Sequence, residues 1–562
     1  MDILIFSILT NFIYFCCGSF FVSDKKYDFH SQFYLYFIGI IFISFISLIL
    51  NFFTPLTPLI NSIVYILIII AYSIKKKFVL NKKNINFLLV SSFVTFLLII
   101  YSDVNRPDAG LYHLPYTSIV NENKIIFGLS NIHFRFGHVS ILQYLSAINN
   151  NFLFLENGIS VPLASIVSFF YIYFFYDIWK VARKKETSNL GNFFSLFILI
   201  YIAFKITRYG EFGNDVVSHL SFFYLISYLL KSKIKEINFN KILLISVFTF
   251  ISKPTLGLIF IAPIIIFFLQ NSFALKKIFY LLFSLPALLL YLWLIKNIII
   301  SGCAIYPIKL TCIEKLPWTN IQKTVNVNIE SDAWSKGWPD RMDKNISMEE
   351  FSKNLNWIHA WSNKHLKYIL NIITPYIVIL VIITLYIKIK FKSIIKENNK
   401  DLNVRFFLCL VTCGVGTFSF LLLFPLYRYG YSYIVTLISL FFIFLIKNKL
   451  TVKENIPIFK FILISCFIII TTKQGIKIFN NYKNTTWPNI YTLDSKGKIY
   501  PKTKIKINND FFYYLADKGD QLCMYSKSPC TTYPVDNLKY SLKKNILIFN
   551  CKLVKYNKYN IF

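Results

Sequence analysis

Long apolar stretches alternate with short polar connections along most of this chain. A helix needs about 20 apolar residues to cross a bilayer, and the pattern predicts about 14 such helices. They lie near residues 2–22, 33–53, 56–74, 86–101, 158–178, 191–206, 216–230, 241–252, 255–270, 278–299, 368–388, 404–424, 430–446 and 457–473. The pair Lys253-Pro254 marks either a tight turn or a kink between two of them. The predicted fold class is an all-α integral membrane protein.

Lysine and arginine are concentrated in five short connections, near residues 75–83, 180–185, 231–241, 388–396 and 447–453. The predicted spans put all five on one side, which is the cytoplasmic side because short cytoplasmic loops are rich in Lys and Arg. Both termini then face outward. Residues 1–473 are predicted to form a polytopic membrane domain with two long outward segments, which we name the first large connection (102–157) and the second large connection (300–367).

Composition supports this interpretation and excludes other classes. Hydrophobic residues make up 56% of the 562 and charged residues only 15%, too few to cover several soluble domains. The formal net charge of +33 comes from short clusters between apolar stretches, not from a continuous basic stripe. We therefore expect membrane lipid around a multi-pass protein of a cell membrane, and no nucleic-acid partner.

The tail after residue 473 is predicted to form a small outward α+β domain, 474–562. It contains strand-like pieces near 499–507 and 545–549. An oxidising exterior would let Cys523 pair with Cys530.

The second large connection contains Cys303 and Cys312, to which the same argument applies. Unpaired thiols are the alternative for each pair. Five of the 8 tryptophans also lie in this connection, where they either stack on sugar rings or anchor the interface and a core.

The first large connection has the densest early run of ionisable and turn-forming residues, 101–138. Helices are predicted over 115–123 and about 138–150, the first starting with a proline in its first turn. They would lie at the outer surface of the membrane, with Asp103 and Asp108 just ahead of them.

This arrangement resembles the GT-C glycosyltransferases, and in particular a family of uncharacterised bacterial multispanning proteins related to them. The likeness rests on DAGLYHLP (108–115), GLSNIHFRFG (128–137), KNIIISGCAIYP (296–307), FPLYRYGY (424–431) and DQLCMYSKSPCTTYP (520–534). It implies an enzyme of the bacterial inner membrane that takes sugar from a polyprenyl-phosphate donor. The acceptor would be a cell-surface glycan or a lipid-linked glycan on the outer side.

Such a transfer needs a carboxylate to accept the proton of the acceptor hydroxyl. Asp108 is the first candidate for this base and Asp103 the alternative. The structural alternative for Asp108 is an Asx-type turn with Gly110.

The departing lipid phosphate needs cations, and Arg offers a fixed fork of donors. Arg428, Arg208 and Lys253 are candidates because they lie at outward span ends. Asp215 either binds substrate as well or neutralises Arg208.

Four further residues of the first large connection are candidates for substrate contacts. Tyr112 and His113 would line the acceptor site, while His133 and Arg135 would contact substrate or phosphate. A divalent metal site formed by His133, Arg135 and His138 is a further possibility that the resemblance does not decide, because GT-C enzymes differ in metal use. No other cofactor is predicted.

Two other functions stay open: a flippase or exporter of lipid-linked sugars, and an O-antigen polymerase or ligase. A transporter should hold ionisable groups at mid-membrane. The predicted spans are largely free of them, which favours chemistry at the surface.

Overall fold

The computed structural model shows a mostly helical chain. It describes residues 2–22, 29–76, 81–102, 108–138, 140–185, 188–209, 212–213, 215–270, 279, 281–390, 400–447, 456–482, 502–506, 511–516, 522–535, 538–543 and 546–551. Its first eleven helices are α1 (Asp2–Gly18), α2 (Phe29–Phe53), α3 (Pro58–Lys76), α4 (Lys82–Ile99), α5 (Leu114–Glu122), α6 (Ile141–Ile148), α7 (Val161–Ala182), α8 (Leu190–Lys205), α9 (Asp215–Lys231), α10 (Phe239–Ser252) and α11 (Ile261–Gln270). The remainder are α12 (Leu285–Ser301), α13 (Ile321–Ser335), α14 (Met348–Ser352), α15 (Ile358–Trp361), α16 (Lys367–Lys390), α17 (Lys400–Leu423), α18 (Tyr427–Ile446) and α19 (Ile456–Asn481).

Each of the predicted apolar segments contains a helix. Nine helical stretches among the described residues are long and apolar enough to cross a membrane, and four apolar helical stretches are shorter. The 17-residue α9 begins with an acidic residue and ends with a basic one. At Lys253 the chain is extended before a 3-10 turn leads into α11, so this point is a turn between helices. The mostly helical chain with several long apolar helices is confirmed and is compatible with an all-α membrane protein, while the number of spans stays a prediction.

Cations from neighbouring helices satisfy the carbonyl groups that helix ends leave without partners. Lys473 of α19 donates to a carbonyl in the last turn of α8 at 2.6 Å. Lys477, one turn further along, donates to Leu97 near the end of α4 at 2.9 Å. Arg405 of α17 donates to Leu230 near the end of α9 at 2.6 Å. These contacts suit the negative end of each helix dipole and fix α17 and α19 against their neighbours.

The two short helices of the first large connection are present, as α5 and α6, but they do not lie on the surface of the protein. Nearly every residue of α5 and every residue of α6 is buried. The expectation of an amphipathic surface helix over 138–150 was therefore wrong, because α2 and α7 cover α6.

Asparagine side chains fix these buried helices to α2 and α3. Asn61 of α3 donates to the carbonyls of Ala147 at 3.0 Å and Asn150 at 2.6 Å. Asn121 of α5 donates to the same Ala147 carbonyl at 2.9 Å. Asn51 of α2 donates to the Asn123 carbonyl at 2.9 Å. The carbonyls at the ends of α5 and α6 thus have donors although no water surrounds them.

The tail forms strands, as predicted, but it packs against the helical body. A three-stranded sheet contains β1 (Lys502–Lys506), β2 (Phe512–Ala516) and β3 (Cys530–Thr531), with β1/β2 antiparallel and β2/β3 parallel. An antiparallel hairpin contains β4 (Leu538–Lys543) and β5 (Ile546–Cys551). The Phe549 amide donates to the Phe127 carbonyl at 2.9 Å, which joins β5 to the first large connection. The predicted boundary at residue 474 falls inside α19.

Helices α1 and α2 cross with their backbones in contact at two glycines. A Cβ atom on Gly39 would overlap the Tyr14 carbonyl, and one on Gly18 would overlap the Leu35 carbonyl. Small residues allow such close approach in membrane helices, and neither backbone can retreat without opening the pair.

Gly39→Ala should therefore lower the thermal unfolding midpoint of the purified protein. Overpacking costs about 1–3 kcal/mol, which exceeds the gain of about 1 kcal/mol from replacing a helical glycine. Gly414→Ala is the matched control, because no atom lies within 4 Å of its added Cβ on α17. Equal midpoints for the two variants would contradict the close crossing.

The second large connection should be accessible from outside the cell. Asn326 of α13 is exposed, and Asn326→Cys should react with an impermeant thiol reagent in intact cells. The native free cysteines of the described residues are buried, and Cys551 is replaced by serine in the background. Lys233→Cys, at an exposed site in a lysine-rich connection, should react only after permeabilisation. The reverse pattern would invert the orientation.

Candidate active site

Asp108 lies at the start of a π-helical turn, Ala109–His113, that leads directly into α5. Its backbone is helical and its side chain makes no capping hydrogen bond. The Asx-turn alternative is therefore not what the structure has. The carboxylate is free to reach away from its own segment, and it does so.

Both oxygens of the Asp108 carboxylate contact guanidinium groups. Arg135 Nη1 lies 3.2 Å from Oδ1, and Arg428 Nη1 makes a short ion pair with Oδ2. The side chains of Asp108, Arg135 and Arg428 are 29%, 37% and 45% exposed, so an anion can reach all three. The candidate base and the candidate phosphate ligands from the sequence are thus in direct contact.

Burial of Asp108 would by itself raise the pKa of its carboxyl group. The positive charges of Arg428 and Arg135, together with the hydrogen bond from Arg428, outweigh that effect and hold the pKa below its ordinary value. The carboxylate is consequently ionised near neutral pH and is a weak base while both arginines hold it.

Arg428 is placed by the first turn of α18, whose backbone is fixed from two sides. Its carbonyl accepts hydrogen bonds from Lys253 Nζ at 2.6 Å and from His219 Nε2 at 3.0 Å. Lys253 also makes a short ion pair with Asp215. Next to this turn, Trp361 Nε1 donates to the Pro425 carbonyl at 2.7 Å. The backbone of Arg428 is therefore held in place independently of Asp108.

Arg135 is placed by a 3-10 turn, Phe134–His138. Its backbone amide donates to His133 Nδ1 at 3.1 Å. Its guanidinium lies 5.4 Å from the ring centroid of Tyr112, a cation–π contact that leaves the N–H edge available. Tyr112 thus supports the arginine, and its contact with an acceptor stays a prediction.

His113 and His133 are buried and support the site without entering it, whereas His138 is exposed. His113 bonds to Gln143, and His133 stacks against Tyr533 of the tail with ring centroids 5.1 Å apart. Burial lowers the pKa of His113 to about 4 and that of His133 to about 3, so both are neutral at physiological pH. The prediction that His113 and His133 contact substrate is not supported by these positions.

The divalent-metal alternative has no ligand set within the part of the chain that the structure describes. No three His, Cys, Asp or Glu side chains come together there as a metal site requires.

Arg208 and Asp215, two further candidates from the sequence, do not contact each other as one alternative expected. Arg208 donates to the Tyr368 hydroxyl at 2.9 Å, while Asp215 pairs with Lys253. The proposed neutralisation of Asp215 by Arg208 is replaced by the lysine pair. Asp103 lies outside the described residues.

Sequence reasoning missed His219 and Tyr429. His219 follows Asp215 by one helical turn on α9 and stacks on Tyr431 at 3.6 Å. Tyr429 lies under both Lys253 and Arg428, at 5.0 and 5.3 Å from its ring centroid. The signal in the sequence that could have identified His219 was its i, i+4 spacing from Asp215 at the end of a predicted span.

The tryptophans of the second large connection mostly serve structure. Trp338 and Trp357 are buried in a small core with Phe351, and Trp318 donates to the Ile298 carbonyl at 2.9 Å. Trp334 is 40% exposed. The alternative of a core and anchors fits this placement better than a row of sugar-stacking rings.

A loop of the tail docks directly behind Asp108. The structure has disulfides between Cys303 and Cys312 and between Cys523 and Cys530. Within the second, the Met524 amide donates to the Gly110 carbonyl at 2.9 Å and the Tyr525 hydroxyl donates to Asn121 at 3.1 Å. This disulfide loop (523–530) therefore braces the π-helical turn.

These features define a multi-helix protein, with helices long and apolar enough to cross a membrane and a charged cluster where several helix ends meet. The chain belongs to the family described as Domain of unknown function (DUF8201), whose model matches residues 1–435. That range includes Asp108, Arg135 and Arg428, whereas the disulfide loop lies beyond it. Comparison with curated proteins and with solved structures gives no match.

Replacing both Cys523 and Cys530 by serine should detach the disulfide loop. A disulfide that closes so short a loop contributes roughly 2–3 kcal/mol, so the detached population should rise roughly 30- to 150-fold. Trypsin cleavage at the exposed Lys527, followed by mass spectrometry of the folded protein, measures this. The matched control removes the Cys303–Cys312 disulfide and should leave cleavage at Lys527 unchanged. Equal cleavage in both double variants would show that the disulfide does not brace the loop.

Proposed function

We propose that this protein is a GT-C-like membrane glycosyltransferase. It would transfer a sugar from a polyprenyl-phosphate donor to a cell-surface glycan or lipid-linked acceptor on the outer side of the membrane. The observation that carries the proposal is the Asp108 carboxylate held between two accessible guanidiniums at the end of the helix bundle.

The reaction assigns one role to each charged group. The acceptor oxygen bonds to the anomeric carbon of the sugar, and its proton passes to Asp108. The bond between that carbon and the phosphate oxygen breaks, and its electron pair leaves with the polyprenyl phosphate. Arg428 and Arg135 stabilise the charge that develops on this phosphate.

The electrostatics of the site suit an anionic lipid headgroup. Of the side chains that the structure describes, three cations, Arg135, Arg428 and Lys253, face two carboxylates, Asp108 and Asp215, which gives this set one positive charge in excess. The positive end of α18 lies at Arg428 and has no side-chain cap, which adds to the favourable potential.

A flippase or exporter of lipid-linked sugars is the second candidate. The Lys296 side chain is fully buried within α12, 5.1 Å from the Trp293 ring, and buried ionisable residues in spans often mark transport pathways. A polymerase or ligase would use the same outward end of the bundle.

The test is glycosyl transfer by the purified protein in detergent, with a radiolabelled polyprenyl-phosphate sugar and extracted surface glycan as acceptor. Asp108→Asn should lower turnover by at least about 100-fold while expression and the unfolding midpoint stay near wild type. Asp340→Asn is the matched control, because Asp340 forms an exposed ion pair with Lys364 at 2.7 Å, outside the cluster.

Arg428→Lys should retain more activity than Arg428→Ala, since it keeps the charge but loses the planar fork. Wild-type turnover by Asp108→Asn would exclude Asp108 as the base. If the protein forms no product in detergent but translocates lipid-linked sugar in proteoliposomes, it is a carrier instead. A flippase can translocate its substrate only when a bilayer is present.

A further inference from the structure

We propose that Asp108 occupies the phosphate position of its own site, and that an incoming phosphate displaces it from Arg428 and Arg135. This inference rests on the proposed function and adds a control step to it. The base would be released only when a phosphate-bearing donor is bound.

The geometry supports an exchange because carboxylate and phosphate compete for the same donors. Each arginine gives one terminal N–H group to Asp108. The two non-bridging oxygens of a phosphodiester can accept hydrogen bonds from the same donors as the two oxygens of a carboxylate. The partial exposure of all three side chains gives an anion access from outside.

The two guanidiniums would stay in place when the carboxylate leaves. The Arg428 backbone is fixed through its carbonyl by Lys253 and His219 and its guanidinium rests on the Tyr429 ring, while the Arg135 guanidinium rests on the Tyr112 ring. Asp108, by contrast, has no hydrogen bond to its own turn. The carboxylate is therefore the partner that can swing away.

Displacement would convert a weak base into a stronger one. Among the described residues, the charged and titratable groups that face Asp108 are Arg428, Arg135, Lys253, Tyr112 and His113, and His113 is neutral above about pH 4. A phosphate that holds the arginines cancels most of their effect, so burial raises the pKa of the Asp108 carboxyl above its value in the paired state, while Lys253 still opposes that rise. Anion binding should then be accompanied by partial proton uptake, so that affinity rises as pH falls, and the fraction of Asp108 that stays ionised acts as the base.

The experiment uses dibutyl phosphate, which carries one permanent negative charge and no proton that titrates between pH 5 and 8. Its affinity for the purified full-length protein is taken from shifts of the thermal unfolding midpoint across that range. Wild type should bind more tightly as pH falls, by up to about tenfold per unit for one coupled proton.

Asp108→Asn should bind about tenfold more tightly than wild type at pH 7.5 and lose the pH dependence, because the competitor and its proton are gone. Asp215→Asn removes a negative charge from the same cluster without removing the competitor, so it should keep the pH dependence. Arg428→Ala should lose binding, and Asp340→Asn should match wild type.

Three results would overturn the exchange: no binding by either wild type or Asp108→Asn, unchanged affinity in Asp108→Asn, or pH-independent binding by wild type. They are separable from failure of the proposed function. If activity depends on Asp108 but these binding effects are absent, the protein is a transferase whose base is not displaced by the donor. If the binding effects are present but no sugar is transferred, the phosphate site serves another function.

Discussion

The structure depends on how the irregular backbone of the first large connection is satisfied inside the protein. Its two short helices and most of its π-helical turn are buried, and the carbonyls there need donors that water cannot supply. The side-chain amides of Asn51, Asn61 and Asn121 supply many of these donors. Because these residues belong to different helices, the connection is fixed to the bundle, and the turn that carries Asp108 inherits that rigidity.

The charged cluster depends in turn on the meeting of helix ends. Asp215 begins α9, Lys253 follows α10 and Arg428 lies in the first turn of α18. Each residue lies at a helix end, and only the packing of three separate helices brings them together. The backbone of Arg428 is held by Lys253, so the position of one cation is set by another.

Much of the fold could be predicted from the sequence, because apolar runs and lysine-rich connections report directly on helices and their order. The candidates Asp108, Arg135 and Arg428 were also identified, since their chemistry and span-end positions stand out. Their mutual contact could not be predicted, because no local pattern links positions 320 residues apart. The buried state of α6 was missed for a related reason: an apolar stripe indicates that a face is covered but not whether lipid or protein covers it. His219 was missed because a lone histidine near the start of an apolar helix is a weak signal.

The docking of the disulfide loop determines the order in which parts of the site form during synthesis. Ser118 of α5 donates to the carbonyl of Ser526, and the two residues are 408 apart in the chain. At a synthesis rate of 5–20 residues per second, roughly 20–80 s separate the emergence of these two segments from the ribosome. During that interval the turn that carries Asp108 has no brace, and its later partner has been neither synthesised nor oxidised. The charged cluster is therefore a late product of biogenesis, completed only after most of the helical body has been synthesised.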